Sequence, residues 1–116
     1  MADKSKIEEL IVEYQKKQAA YESILSVLSQ LEIQYSETSK TLERLKEYKK
    51  PIVYSLRGGI LIQMETSKAI SELDNTKTYL EKKIGELKDQ MQAYLDSLNR
   101  LRTVLEKEMK SEKTLE

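Results

Sequence analysis

The side chains that carry out most enzymatic chemistry are missing from this sequence or lack the spacing that chemistry needs. There is no histidine, the commonest general base and metal ligand, and no cysteine, which excludes disulfides and thiol chemistry. Carboxylates are plentiful, but their surroundings predict exposed helix positions without a pocket. Gly58 and Gly59 lack the spacing of a phosphate-binding loop. The sequence therefore predicts that the chain is not an enzyme and has no catalytic, cofactor-binding or metal site.

Apolar contact is the chemistry that the remaining residues can supply, and it is concentrated in residues 51–64. Two apolar runs, residues 52–56 and 60–64, are rich in β-branched and aromatic side chains, which suit a half-buried strand. Between them lies Arg57-Gly58-Gly59, and paired glycines supply the positive φ angles of a tight turn. These features predict a central β-hairpin over residues 51–64.

A hairpin of this composition is predicted to pair with other chains. A lone two-stranded hairpin is marginally stable in water, and exposed apolar strands invite pairing at their edges. Strand addition to neighbouring hairpins resolves both problems. The alternative is a hairpin that only caps its own coiled coil. The residues predicted for oligomerisation are Ile52, Val53, Tyr54, Leu56, Gly58, Gly59, Ile60, Leu61 and Ile62.

Long heptad patterns on both sides of the hairpin predict the elements that position it. A helix is predicted over residues 5–50 and another over residues 66–110, each with apolar residues at 3-4 spacing, which is typical of a coiled-coil seam. Residues 111–116 are mostly polar and are predicted to form a frayed tail. The a positions of the first helix are Ile7, Tyr14, Tyr21, Leu28, Tyr35 and Leu42.

The two heptad series are in register if the hairpin folds the chain back on itself. Residues whose numbers add up to 115 then lie at the same height, so that Leu28 meets Leu87 and the polar pair Thr38 and Lys77 share one layer. An intermolecular coiled coil would give the same periodicity. The predicted fold class is mainly α: two long helices forming an antiparallel coiled coil, joined by one central β-hairpin, in a single domain over residues 1–116.

The charge balance and the hydropathy of the sequence restrict the classes of partner and the cellular location that are expected. Lys and Arg together number 20, as do Asp and Glu, which argues against a nucleic-acid partner. No apolar run approaches the roughly 18 residues of a membrane span, and the first residues lack the apolar core of a signal peptide. The expectation is a cytoplasmic protein that binds neither nucleic acid nor membrane.

One segment carries a family resemblance. Residues 53–62 are Val-Tyr-Ser-Leu-Arg-Gly-Gly-Ile-Leu-Ile, and they closely resemble the hairpin of β-type prefoldin subunits, where V-Y-x-x-x-G-x-x-L-[IV] recurs. The plan of two long helical arms around a hairpin resembles prefoldin subunits as a whole. Room for a single hairpin indicates the β type, and the short tails favour an archaeal-like form. Arg57 departs from the pattern, because many relatives have a small or apolar residue there.

The resemblance implies a specific assembly and function. Two α-type and four β-type prefoldin subunits join through their hairpins into a hexamer with six coiled-coil arms. The assembly is an ATP-independent holdase that captures unfolded client proteins at the arm tips and delivers them to a group II chaperonin. The rival interpretation is a structural coiled-coil adaptor that scaffolds a partner helix, with the hairpin acting only as a turn.

A holdase needs apolar surface near the arm tips that the seam does not use. Ile11, Val12, Val104 and Met109 are extra apolar residues at that end, and methionine adapts well to varied partners. The alternative is that these residues only complete the core. The residues predicted to bind clients are Ile7, Leu10, Ile11, Val12, Val104, Leu105 and Met109.

Overall fold

The computed structural model describes the backbone of residues 4–115 and the side chains of residues 4–111. Helix α1 spans Lys4–Glu47, strand β1 Ile52–Arg57, strand β2 Ile60–Glu65 and helix α2 Thr66–Leu115. This order confirms the predicted fold of two long helices with one central antiparallel hairpin. Within the described residues, no helix has the length and apolar character that crossing a membrane requires.

The chain divides into two compact units, and each contains part of both helices. The terminal unit comprises Met1–Leu28 and Glu86–Glu116, and the hairpin unit comprises Ser29–Gly85. The expectation that the whole chain forms a single domain therefore stays a prediction.

In the terminal unit, the heptad positions form the buried side of both helices. Ile7, Leu28, Leu87 and Leu98 are the most buried apolar residues of this unit. Hydrogen bonds join the helices, among them those from Lys6 Nζ to Glu108 Oε1 at 3.3 Å and from Lys17 Nζ to Ser97 Oγ at 2.7 Å. The seam residues of this unit, all buried or half-buried, are Ile7, Leu10, Tyr14, Lys17, Tyr21, Ile24 and Leu28 with Leu87, Met91, Tyr94, Leu98, Leu101, Leu105 and Glu108.

The hairpin unit also has a buried seam between its parts of the two helices. Leu42, Ala69 and Leu80 are buried there, and Tyr35 Oη donates a hydrogen bond to Glu81 Oε1 at 2.9 Å. The remaining heptad positions, again buried or half-buried, are Leu31, Tyr35, Thr38, Leu42 and Leu45 with Ile70, Leu73, Lys77, Leu80 and Ile84. In both units, the two residue numbers of each helix-to-helix hydrogen bond given above add up to within one of 115. These bonds agree with the predicted antiparallel register.

Helix α1 ends at Glu47, short of the predicted end at Lys50. Its last turn closes with a hydrogen bond from Tyr48 N to Leu45 O at 3.1 Å, the i to i−3 type common at helix ends. The chain then leaves the helix so that the carbonyl groups of Lys50 and Pro51 reach Thr66, at distances of 2.7 and 2.8 Å. Sequence reasoning placed the boundary too late because proline restricts only the residue before it.

Helix α2 extends further than expected, to Leu115. Most of the predicted frayed tail is therefore helical, and the last residue of that tail, Glu116, lies outside the described residues. The physical reason is that residues 111–115 contain neither proline nor glycine and include the good helix formers Glu, Lys and Leu.

The hairpin has a two-residue turn at Gly58 and Gly59, with strand pairs running from Arg57 opposite Ile60 to Ile52 opposite Glu65. The φ angles of the two glycines are +58° and +79°. Positive φ at both central residues is the requirement of a type I′ turn, whose twist matches that of the strands. Arg57, which was predicted to belong to the turn, is the last residue of β1.

Substitution by alanine is expected to have opposite effects on stability at two glycines, one in the turn and one in α2. Gly58→Ala should destabilise the hairpin by about 1–2 kcal/mol, because a Cβ strains the left-handed backbone. Gly85→Ala should stabilise α2 by about 0.5–1 kcal/mol, since Gly85 is helical and a Cβ there meets no atom within 4 Å. Amide hydrogen exchange in β1 and β2 measures the first effect, and thermal unfolding measures the second. Destabilisation by both substitutions would contradict this assignment.

Candidate functional site

The hairpin has two faces, because successive side chains of a strand point to opposite sides. Val53, Ser55 and Met64 are half-buried and define the inner face. Tyr54, Leu56 and Leu61 lie on the outer face, where they are 66–70% exposed. Three large apolar side chains on one small face form a surface suited to contact with another protein.

The strand edges add a second means of contact. Within residues 4–115, the sheet contains only β1 and β2, so each strand has one edge without a strand neighbour. Such an edge presents N–H and C=O groups that can pair with a strand of another chain. Of the residues predicted for oligomerisation, Val53 is half-buried and the others are exposed.

An ion pair attaches the hairpin to α2. Arg57 Nη2 lies 2.9 Å from Glu72 Oε2, and Arg57 Nε donates a hydrogen bond to Ser55 Oγ at 3.1 Å. Both charged side chains are about half exposed, so the pair contributes less than about 1 kcal/mol to stability. Its effect is positional, since it links the turn end of β1 to the helix. This contact explains the departure at Arg57, and sequence analysis did not predict it.

The base of the hairpin is fixed by Thr66, the first residue of α2. Its hydroxyl donates to Lys50 O and its backbone N–H donates to Pro51 O. Thr66 is buried, which makes these bonds costly to break. At the same base, Tyr48 Oη donates to Ile52 O at 3.2 Å. The base of the hairpin is therefore held by residues that precede it and residues that follow it in the sequence.

The seven residues predicted to bind clients fall into two groups in the terminal unit. Ile7 is buried, while Leu10 and Leu105 are half-buried, so these three form part of the seam. The other four are 37–53% exposed, and they are Ile11, Val12, Val104 and Met109. We call these four residues the tip cluster. The heptad positions alone distinguish the two groups, because every seam residue lies at a or d.

Polar residues interrupt the seam in the hairpin unit. The hydrogen bond from Tyr35 to Glu81 raises the pKa of the Tyr35 hydroxyl above its ordinary value, with smaller contributions from burial and from the negative charge of Glu81. Lys77 Nζ lies 5.7 Å from the centre of the Tyr35 ring, within the range of a cation–π interaction. This layer is a structural contact between the helices.

Four large apolar residues of the helices, among the residues whose side chains are described, are exposed outside both surfaces. They lie on the outer sides of the helices, distant in sequence from both the hairpin and the helix ends, and they are Leu25, Val27, Ile33 and Tyr79. Their exposed fractions, 39–63%, are similar to those of the tip cluster. Single exposed apolar residues are common on protein surfaces. These four therefore provide matched controls for variants of the other surfaces.

Comparison with known proteins relates this arrangement to a family. The model of the prefoldin subunit family matches residues 8–112. A search of curated protein sequences finds no match. Among solved structures, the chain is similar to the prefoldin beta subunit from Thermococcus strain KS-1, with a TM-score of 0.82 and 16% identity over 92% of this chain and 96% of that one.

The two comparisons contribute different information. At 16% identity the structural likeness shows the fold, which is that of a subunit with one hairpin. The family match covers residues 8–112, which include the hairpin and most of both helices. It confirms the resemblance found in the hairpin sequence. The chain therefore belongs to the prefoldin family, whose members are chaperone subunits that assemble with one another.

Proposed function

We propose that the chain is a β-type subunit of a cytoplasmic hexamer with two α-type subunits, and that the hexamer holds unfolded proteins without ATP. In this proposal the tip cluster binds clients, which then pass to a group II chaperonin. The observation that carries the proposal is the exposure of four large apolar residues near the ends of both helices, beside a seam that does not use them.

The chemistry of the tip cluster suits clients that share no sequence. Ile11 and Val104 lie at the same height in the predicted register, and Val12 and Met109 lie within five residues of them along the helices. Apolar contact is non-directional, so it requires no particular side chain from the client. Methionine adds flexibility because its unbranched side chain adapts to different shapes. Such a surface binds apolar segments that a folded protein would bury.

Assembly makes weak contacts at each arm effective. One exposed cluster of this size provides only modest affinity, because each half-exposed side chain contributes on the order of 1 kcal/mol when covered. Several arms in one hexamer bind the same client together, and the linked contacts raise the overall affinity by a factor of about 10²–10⁴. The outer face and free edges of the hairpin support such assembly. Capture and assembly are therefore parts of one mechanism.

The test compares two quadruple variants of the assembled complex. Replacing the tip cluster with serine should raise at least tenfold the concentration of complex that prevents aggregation of a denatured protein, because the apolar contact is lost. Light scattering of the client on dilution from denaturant gives this measurement.

The control replaces Leu25, Val27, Ile33 and Tyr79 with serine, which removes the same number of similarly exposed apolar side chains. Native mass spectrometry first checks that both variants still assemble. The proposal is wrong if the tip variant keeps full activity, or if the two variants lose activity to the same extent.

A further inference from the structure

Among the heptad positions of residues 7–108, each helix has one lysine. Lys17 of α1 lies in the terminal unit and Lys77 of α2 lies in the hairpin unit, and both residues are half-buried. Leucine or isoleucine occupies most of the other heptad positions. An ammonium group in a seam must find a polar partner or extend to water, so lysine stabilises a helix pair less than leucine would. The two lysines therefore lower the stability of the coiled coil.

Lys17 has its polar partners within its own chain. Its Nζ donates to Ser97 Oγ of α2 at 2.7 Å and lies 3.6 Å from Glu13 Oε1, one turn earlier on α1. Ser97 directly precedes Leu98, a buried residue of the seam. The bond to Ser97 requires α2 to lie antiparallel beside α1, so this pairing offsets part of the cost of the ammonium group.

Lys77 also contacts the other helix of its own chain. Its Nζ lies 5.7 Å from the centre of the Tyr35 ring on α1, where the face of the ring attracts a cation. Tyr35 Oη donates in turn to Glu81 Oε1, one turn after Lys77 on α2, at 2.9 Å. Each lysine is thus accommodated by a side chain that only the opposite helix supplies.

The same lysines oppose parallel pairing between like helices of two copies. In a parallel coiled coil in register, residues of equal number face each other. Lys17 would then face Lys17 of the second copy, and in a pair of α2 helices Lys77 would face its own counterpart. The two ammonium groups of such a layer repel each other. Neither lysine would keep its contact, because Ser97 is not on α1 and Tyr35 is not on α2.

We propose that Lys17 and Lys77 determine which helices pair: they favour antiparallel pairing of α1 with α2 and prevent like helices of neighbouring subunits from pairing in parallel. The inference rests on the proposed hexamer, in which arms that extend from the hairpins to one side place like helices of neighbours in the same direction. Pairing between arms would bring tip clusters together and leave less apolar surface for clients. A polar seam residue that selects orientation in this way does so at a cost in stability.

The test replaces both lysines with leucine, Lys17→Leu and Lys77→Leu, in the full chain without partner subunits. The melting temperature should rise, because leucine fills the seam. Association between copies should become at least tenfold tighter, because a parallel pair no longer places like charges in its seam. Circular dichroism on heating measures the first effect, and sedimentation at a series of concentrations measures the second.

Two controls separate seam charge from surface composition. Lys16→Leu with Lys82→Leu removes the same two charges and adds the same two leucines at exposed positions, so the association constant should stay that of the natural chain. Lys17→Arg with Lys77→Arg keeps both positive charges in the seam and should also leave association unchanged.

A label reports the direction of pairing, because the natural chain has no cysteine. Gln18→Cys, at an exposed residue beside Lys17, is labelled with pyrene, which emits as an excimer only when two rings stack. Parallel pairing of α1 helices in register brings two labels together, whereas in an exchange of α1 between copies each label faces an α2 helix. Excimer emission is expected from the leucine variant and from neither control.

The possible outcomes separate this inference from the proposed function. Tighter association of the leucine variant together with excimer emission supports the role of the two lysines. Association equal to that of the Lys16 and Lys82 control, tighter association without excimer emission, an equal effect of the arginine variant, or a lower melting temperature of the leucine variant overturns it. Each of these results leaves the chaperone proposal intact. Failure of the natural chain to assemble with any prefoldin subunit overturns the proposed function itself, and the sedimentation comparison does not depend on that assembly.

Discussion

Replacing both Leu56 and Leu61 with threonine is expected to leave the chain folded and to weaken its assembly about a thousandfold. Both leucines are largely exposed in the isolated chain, so little packing is lost within the subunit. Burying a leucine in an interface contributes about 1.5–3 kcal/mol, and two of them contribute about 4 kcal/mol, which corresponds to a factor of about 10³ in the dissociation constant. Threonine is a good strand former, and two opposite threonines pair favourably across a hairpin. Analytical ultracentrifugation measures the assembly, and circular dichroism measures the fold.

The control for this experiment removes apolar surface elsewhere. Leu25→Thr with Val27→Thr exchanges two exposed apolar residues of α1 and should leave assembly unchanged. A coiled-coil adaptor in which the hairpin is only a turn would keep its oligomeric state in the hairpin variant. That result would remove the assembly role of the hairpin. Unfolding of the hairpin variant would instead show that the two leucines stabilise the subunit itself.

The helical part of the fold was predictable because its determinants are local and repeated. A 3-4 spacing of apolar residues places one side of each helix in the seam, and residues such as Leu28 and Leu80 are buried as this spacing requires. The register followed from the same spacing, because a chain that reverses at one tight turn fixes the height of every later residue. Gly58 and Gly59 located that turn, since few other residues adopt positive φ without strain.

Contacts between the hairpin and the helices could not be predicted from the sequence, because they depend on how the hairpin is oriented on the helices. Arg57 and Glu72 are fifteen residues apart and belong to a strand and a helix, and no local pattern relates them. Likewise, the Thr66 hydroxyl donates to the carbonyl of Lys50, which lies sixteen residues earlier in the chain. The early end of α1 follows from the same contact. These side chains attach the hairpin to α2 and fix its base, so the orientation of the hairpin on the helices required the three-dimensional structure.

Apolar character alone distinguished the residues proposed to bind clients from the residues of the core only in part. Ile7, Leu10 and Leu105 occupy heptad positions, and the structure places them in the seam. Ile11 and Val104 lie beside that seam, where the heptad rule predicts exposure. Apolar character alone does not distinguish a residue that stabilises the helix pair from one that contacts a partner. Heptad position makes this distinction, and it was available from the sequence.

The seam itself carries the largest expected effect on stability. Leu28→Asp should destabilise the chain by about 3–5 kcal/mol, because it places an unpaired carboxylate at a position that is 6% exposed in the natural chain. Leu87, the residue expected at the same height on α2, is 8% exposed, so the carboxylate would face an apolar neighbour without a counter-ion. For a chain of this size, the loss corresponds to a fall in the melting temperature of about 10–20 °C. Thermal unfolding followed by circular dichroism at 222 nm gives the measurement.

The same substitution three residues earlier provides the control. Leu25 is 39% exposed on the outer side of α1, so Leu25→Asp leaves the new carboxylate in water and should cost less than about 1 kcal/mol. The two variants have the same composition and the same net charge, and both keep an aspartate in the middle of α1. Any difference between their melting temperatures therefore reports the direction in which the side chain points. Equal melting temperatures would mean that Leu28 is not in the seam, and the antiparallel register with Leu87 would then be wrong.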